Sequence, residues 1–248
     1  MKNKKIIWIV LLVIGAMLII ACGGTTSPVD GGDTSSPTQS SSGNQSATSS
    51  DLVLDPANAT GDNALSVIGY MYEGLTRVQD GNIAPALAEA YTVSEDGLDY
   101  IFDLRSGVSF HDGSPLNADA VIANFNRWFD PADANRGSGD FVAWLEKFGG
   151  FKDELTEDGK PTSQYDGIEK VDDLTVLVHL NTPDPDFLLK LANPAFSIVS
   201  PNTFDGGDGG TGVYRFSSSD GSNFILEPFA GYWDASALAS ESMTVPAP

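Results

Sequence analysis

Two histidines, one cysteine and one glycine-rich run are the places in this 248-residue chain where chemistry is first to be sought. His111 stands in a Phe-His-Asp-Gly turn and His179 in a stretch that alternates like a strand. A metal centre or a catalytic triad would need them to converge with carboxylates. Lone histidines in such settings are structural or lie on the surface, and that is the expectation for both. The run Gly206-Gly-Asp-Gly-Gly-Thr-Gly212 has the glycine content of a phosphate cradle. It lacks the lysine of a P-loop and does not join a strand to a helix, so it reads as a surface turn. No nucleophile and base stand at a recognisable spacing, which argues against an enzyme. With Cys22 the only cysteine, an intramolecular disulfide and a cysteine-based zinc site are both excluded, and no cofactor is expected.

The surroundings of Cys22 give it a different chemistry. Lys2, Lys4 and Lys5 precede an apolar run from Ile6 to Ala21, and the first acidic residue is Asp30, which is the layout of an export signal. The run is 16 residues long, short of the roughly 20 that a membrane-spanning helix needs. The stretch Leu18-Ile19-Ile20-Ala21-Cys22-Gly23 resembles a lipobox, with Ile19 where leucine is usual. The expectation is therefore a signal peptide over 1–21 and a lipidated Cys22 at the mature N-terminus, holding the protein on a membrane and facing outward. A single acyl chain contributes about 0.8 kcal/mol per buried methylene and binds only marginally, so anchoring requires the several chains that lipoprotein maturation adds. The alternative is an unmodified Cys22 closing a plain secretory signal or an uncleaved anchor.

From the cysteine on, residues 22–50 are dominated by Gly, Ser, Thr, Pro, Asn and Gln with almost nothing apolar. Such a segment cannot bury enough surface to offset its ordering entropy and reads as a disordered tether. Residues 51–248 are long enough for one large domain or one lobe of a larger protein. The whole chain carries 13 basic and 34 acidic residues, a net charge of −21. Nucleic acid is an improbable partner for such a chain, because phosphate binding needs clustered Lys and Arg. The acidity is read as adaptation to an external medium rather than as an acidic binding site.

Several elements must position whatever chemistry this domain has. Leu65, Ile68, Met71, Tyr72 and Leu75 have helical spacing. Tyr91 and Val93, then Asp96-Gly97, then Tyr100, Phe102 and Leu104 give a β-hairpin. After the turn Phe110–Leu116, Asn117 caps a helix with the stripe Val121, Ile122, Phe125, Trp128 and Phe129, ended by Asp130-Pro131. Phe141, Trp144, Leu145 and Phe148 predict another amphipathic helix, and 167–180 a second hairpin turning at Asp172-Asp173. A short helix over 186–191, a buried strand over 195–199 and a strand pair, 213–216 with 223–227, complete the reading. Mixed α and β with antiparallel hairpins argues against a doubly wound nucleotide fold.

The run from Ala88 to Val121, with Phe110-His-Asp-Gly-Ser-Pro-Leu116 inside it, resembles the signature of the bacterial extracellular solute-binding proteins of family 5, the peptide- and nickel-binding group. Five further fragments follow the family's order: Leu54-Asp-Pro-Ala57, Tyr72-Glu-Gly-Leu75, Pro194–Pro201, Gly210-Thr-Gly-Val-Tyr-Arg-Phe216 and Tyr232-Trp233. The resemblance implies an α/β (mixed α+β) fold: the first lobe of a two-lobed, type II periplasmic-binding-protein-like clamp, a mixed sheet with hairpins and flanking helices. It implies the substrate-binding component of an ABC importer, closing on a peptide or similar small solute, a nickel complex, haem or a sugar, and delivering it to a permease. The other class left open is a non-transport surface lipoprotein, a sensory or interaction module derived from a first lobe.

Family members run to about twice this length, and the chain stops just beyond Trp233, where the family crosses towards its second lobe. The expectation is thus a truncated product or an incomplete gene model, without the lobe whose aspartate pairs with a peptide's amino group in peptide-binding relatives. Weak or absent solute binding is expected of one wall alone. For ligand contact the resemblance points to Asp55, Tyr72, Glu73 and Phe196, which lie in segments bordering the cleft. Each has a plainer reading: Asp55 as a turn residue before Pro56, Tyr72 and Phe196 as core, Glu73 as a solvated helix face.

Overall fold

The computed structural model describes residues 54–248. The expected signal peptide over 1–21, Cys22 and the expected tether over 22–50 lie outside them.

The first helix, α1 (Asp62–Met71), buries Ala64, Val67, Ile68 and Met71. Its apolar spacing predicts continuation to Leu75, but the chain turns extended at Tyr72 (φ −129°, ψ 151°). Backbone pairing with distant segments overrides the helical period there. The Glu73 carbonyl accepts from Ile198 N–H at 2.9 Å and the Gly74 carbonyl from Leu87 N–H at 3.1 Å. Leu65, on the expected stripe, is exposed. The chain then forms a small hairpin absent from the sequence reading, β1 (Thr76–Gln79) with β2 (Asn82–Pro85). Its turn is Asp80-Gly81, both at positive φ (52° and 77°), the backbone of a tight two-residue hairpin turn.

Strands β3 (Ala88–Val93), β4 (Asp99–Leu104), β5 (Tyr165–Asp172) and β6 (Thr175–Leu180) form one sheet in the order β3-β4-β6-β5. Both predicted hairpins are present. Alternation sets the faces: Tyr100, Phe102, Leu104, Val176, Val178 and Leu180 point into the core, while Ile101 faces out. Helix α2 (Ala118–Phe129) lies against β5 and β6. It begins where predicted, with the Asn117 side chain accepting from Ala120 N–H at 2.9 Å.

Helix α3 (Val142–Phe148) adds Trp144 and Phe148 to this core. Leu145, expected on its buried stripe, is exposed. Rings meet at a tilt or edge-on here: Trp144 with Phe148 (centroids 4.4 Å), Phe125 with Trp128 (4.9 Å) and Trp128 with Phe196 (5.5 Å). After α4 (Phe187–Leu191), the strand expected over 195–199 is a 3-10 turn, Pro194–Phe196, followed by a buried extended segment. Asn124 substitutes for a strand partner there: its side chain accepts from Val199 N–H (3.1 Å) and donates to Val199 O (2.7 Å). A third sheet, β7 (Tyr214–Ser219), β8 (Asn223–Pro228) and β9 (Met243–Pro246), packs Phe216, Leu226 and Val245 on Val67, Ile68, Met71 and Tyr72. Where the resemblance implies a mixed sheet, every strand pair among the described residues is antiparallel.

Candidate functional site

Because the chain leaves α1 extended, Glu73 projects from the end of a helix toward two segments far away in sequence. Its Oε2 accepts from Thr211 Oγ1 (3.0 Å) and Trp233 Nε1 (3.0 Å), and its Oε1 from the Tyr232 hydroxyl (2.9 Å). Three neutral donors thus converge on one carboxylate, filling three of its roughly four acceptor positions. Burial raises the Glu73 carboxyl above its ordinary value, against the opposing pull of these hydrogen bonds and of the Arg77 charge. Burial, the Glu73 charge and the hydrogen bond between them raise the Tyr232 phenol in turn. The reading of Glu73 as a solvated helix face is overturned by this engagement.

A cleft of about 280 Å³ opens beside this group. Tyr72, Glu73, Arg77 and Tyr232 line it together with the backbone-rich stretch Ala192–Pro194 and Ser197. The Arg77 guanidinium bonds an exposed neighbour, Gln79, at 3.0 Å. Trp233 is held in place from behind by Arg105, whose guanidinium sits 4.2 Å from the ring centroid while its Nε donates to Ala86 O at 2.6 Å.

Of the four residues drawn from the sequence, the structure brings Tyr72 and Glu73 together on the cleft and sets the other two elsewhere. Tyr72 is buried, donates to Leu54 O at 3.2 Å, and has its phenol pushed well up by burial and by the charges of Asp208 and Asp55. Asp55 caps a 3-10 turn through Ala57 N–H and receives both terminal nitrogens of Arg127, at 2.9 and 2.6 Å. Phe196 is 2% exposed among Trp128, Trp144 and Phe148.

The run Gly206–Gly212 is no surface turn: residues 208–212 are buried. A Cβ at Gly210 would fall on the Met71 carbonyl oxygen, and one at Gly212 would lie 2.5 Å from the Tyr70 carbonyl oxygen. The glycines are there because the backbones touch; Gly212 N–H donates to Met71 O at 2.9 Å. That approach delivers Thr211 to Glu73. His111 lies inside the protein and binds the same run, with Nδ1 2.6 Å from Asp208 and Nε2 2.9 Å from Gly212 O. His179 lies on β6 and pairs with Asp99 at 2.7 Å. The two histidines do not converge, and no group of three or more metal-ligating side chains occurs among the described residues. Thr211, Tyr232, Trp233 and Arg77 escaped the sequence reading as site residues. The first three stood in fragments quoted for the resemblance, while nothing local marks Arg77.

The site is thus a polar cleft on an α/β body, lined by Tyr72, Glu73, Arg77 and Tyr232. The chain belongs to the bacterial extracellular solute-binding proteins, family 5, whose middle-region profile matches residues 82–245. It is 36% identical over 200 residues to the glutathione-binding protein GsiB of Pectobacterium atrosepticum, covering 77% of this chain and 35% of that one. It is also similar in structure to the periplasmic binding protein DppA of Helicobacter pylori in complex with the peptide STSA (26% identity, TM-score 0.61, 78% of this chain and 40% of that one). The same holds for HbpA2 of Haemophilus parasuis (26% identity, TM-score 0.64, 78% and 40%). The chain spans about a third of the length of the curated relatives it matches. Its fold is thus that of type II periplasmic binding proteins, and no helix among the described residues is long and apolar enough to cross a membrane.

Proposed function

We propose that this chain is the substrate-binding component of an ABC importer, capturing a short peptide or similar small solute outside the cytoplasmic membrane and delivering it to a permease. In this reading Cys22 carries the lipid anchor, residues 1–21 are the signal and 22–50 the tether. The observation that carries it is the cleft lined by both Glu73 and Arg77. Opposite charges lining one cleft complement a zwitterion. Support comes from the ligands printed for two relatives, glutathione and the peptide STSA. Tyr72 and Glu73 are the proposed contacts from the sequence reading, joined by Arg77 and Tyr232. Asp55 and Phe196 act from behind, through Arg127 and through the aromatic core.

At about 280 Å³ the cleft falls just below the usual range of roughly 300–1,000 Å³ for ligand sites, so affinity should be weak. Titrating the isotope-labelled chain with glutathione, unrelated tripeptides and nickel-histidine is expected to move the amide signals of Glu73, Gly74, Arg77, Ser197 and Tyr232 at millimolar peptide. Arg77→Ala should abolish those shifts. Perturbations centred elsewhere, or none with any solute, would overturn the proposal. For the anchor, membrane retention of the expressed protein should be lost in Cys22→Ser.

A further inference from the structure

The polar side chains that line the Glu73 cleft divide into those whose hydrogen bonds are spent inside the protein and those with bonds left to give. Tyr72 donates to Leu54 O at 3.2 Å and Thr76 to Leu188 O at 2.9 Å. On Glu73, Oε2 receives Thr211 and Trp233, and Oε1 the Tyr232 hydroxyl. An indole N–H only donates, so Oε2 is an engaged acceptor whether the carboxyl is ionised or neutral. The Tyr232 hydroxyl occupies Oε1 in either state. Little acceptor capacity remains there for a solute's ammonium, whose N–H groups each need a partner.

Asn193, Ser197 and Arg77 line the same cleft with capacity to spare. Asn193 Oδ1 accepts from Ala195 N–H at 2.9 Å. That bond assigns the amide oxygen and leaves the NH2 group, which has no partner among the described residues, as a donor. Ser197 is 3% exposed, and its hydroxyl has no partner among the described residues either. The Arg77 guanidinium gives one N–H to Gln79, and the rest of its fork remains. Two of these three groups only donate, and the hydroxyl can donate.

We propose that the cleft selects a carboxylate: it holds the carboxyl-terminal end of a short peptide by Arg77, Asn193 and Ser197, with Glu73 as framework rather than as the partner of the peptide's amine. A guanidinium fork matches a carboxylate in shape and charge. A nearly buried hydroxyl without a partner is costly, and a solute oxygen supplies one. The two carboxyl groups that feel the Arg77 charge, Glu73 and Asp234, are already engaged. Asp234 accepts from Ser236 N–H at 3.0 Å and from Ser236 Oγ at 2.6 Å. This role rests on the Glu73 cleft being the binding site, and it names the end of the solute that the cleft reads.

The test titrates the isotope-labelled full chain with trialanine that is free, N-acetylated or C-amidated. Acetylation removes the amine and keeps the carboxylate; amidation does the reverse. The free and acetylated peptides are expected to move the Arg77, Asn193 and Ser197 amide signals with similar affinity, and the amidated one to bind at least about tenfold more weakly, the loss of a charge-assisted hydrogen bond. The net charge of −21 works against that order, since it attracts the cationic amide and repels the acetylated anion. A preference for the anion is therefore local to the cleft. Asn193→Asp keeps an oxygen for Ala195 N–H and turns the donor into an acceptor, so it should weaken the acetylated peptide by at least about tenfold as well. An amidated peptide that binds as tightly as the acetylated one overturns the proposal and leaves the transport reading standing. So does an Asn193→Asp chain that keeps its affinity for the acetylated peptide; should that variant fail to fold, the three peptides decide alone. No response to any of the three strikes the transport reading, and the carboxylate role with it.

Discussion

Trp128 and Thr211 are both wholly buried, yet they sit in interiors of different kinds. Around Trp128 the neighbours are rings, and the packing is shape against shape. Around Thr211 they are the Glu73 carboxylate, the His111–Asp208 hydrogen bond and touching backbones. The ring-lined side and its border leave Trp128 Nε1, Tyr165 Oη and Arg127 Nε without a partner. None of the three such atoms among the described residues lies in the polar seam of Glu73, Asp208, Thr211, Tyr232 and Trp233. An orphaned buried polar atom costs about 1–3 kcal/mol, and the aromatic packing bears that cost. Complete hydrogen bonding is concentrated where the cleft is, so the seam is tuned for geometry and the aromatic interior for stability.

The comparison can be broken most severely from the aromatic side. Trp128→Ala empties a site shared with Phe125, Trp144 and Phe196 and should cost about 3–5 kcal/mol. Chemical denaturation measures it; a loss under 1 kcal/mol would mean that the rings do not act as one core.

Gly210→Ala attacks the seam instead. The added methyl meets the Met71 carbonyl, and overpacking of this kind costs about 1–3 kcal/mol. Its mark is displacement as well as instability: the Glu73 and Trp233 side-chain signals should shift while those of Trp128 and Trp144 stay. Movement on both sides would merge the two interiors into one.

Glu73→Gln should have the smallest effect and the most specific. Both hydroxyl donors can reverse, so a glutamine fits the same partners with Tyr232 accepting. What disappears is a titration. A carboxyl raised above its ordinary 4.5 binds its proton more tightly in the folded state, so its contribution is full below that value and is lost as pH rises through the folded one. Denaturation midpoints between pH 4 and 7 should therefore show a downward slope from this group in the unmodified chain. In Glu73→Gln that component is absent; equal slopes would remove burial as the dominant influence on Glu73.

The aromatic interior was legible in the sequence and the seam was not, for a physical reason. Periodicity records which face of one element is apolar, so Val121, Phe125 and Trp128 declared a helix face, and Asn117 its start. The seam is made of approaches between segments. Gly210 and Gly212 read as turn formers because nothing local distinguishes a glycine that frees the chain from one that admits a carbonyl. Tyr72 and Leu75 kept the helical period while the backbone of Glu73 and Gly74 was paired with Ile198 and Leu87. The hairpin at Asp80-Gly81 went unread because its strands carry too few apolar residues to alternate.

The order β3-β4-β6-β5 has a kinetic consequence. Each half of that sheet is a local hairpin, closed across a short turn and able to form in about 1–10 μs. The line between β4 and β6 joins Ile101 to Leu177 and their neighbours, and it closes only after the intervening chain, with α2 and α3, has been gathered in. Loop closure of that length must precede the contacts that reward it. The topology thus predicts two fast local events followed by one slower docking, along a seam that runs down the middle of the sheet rather than along its edge.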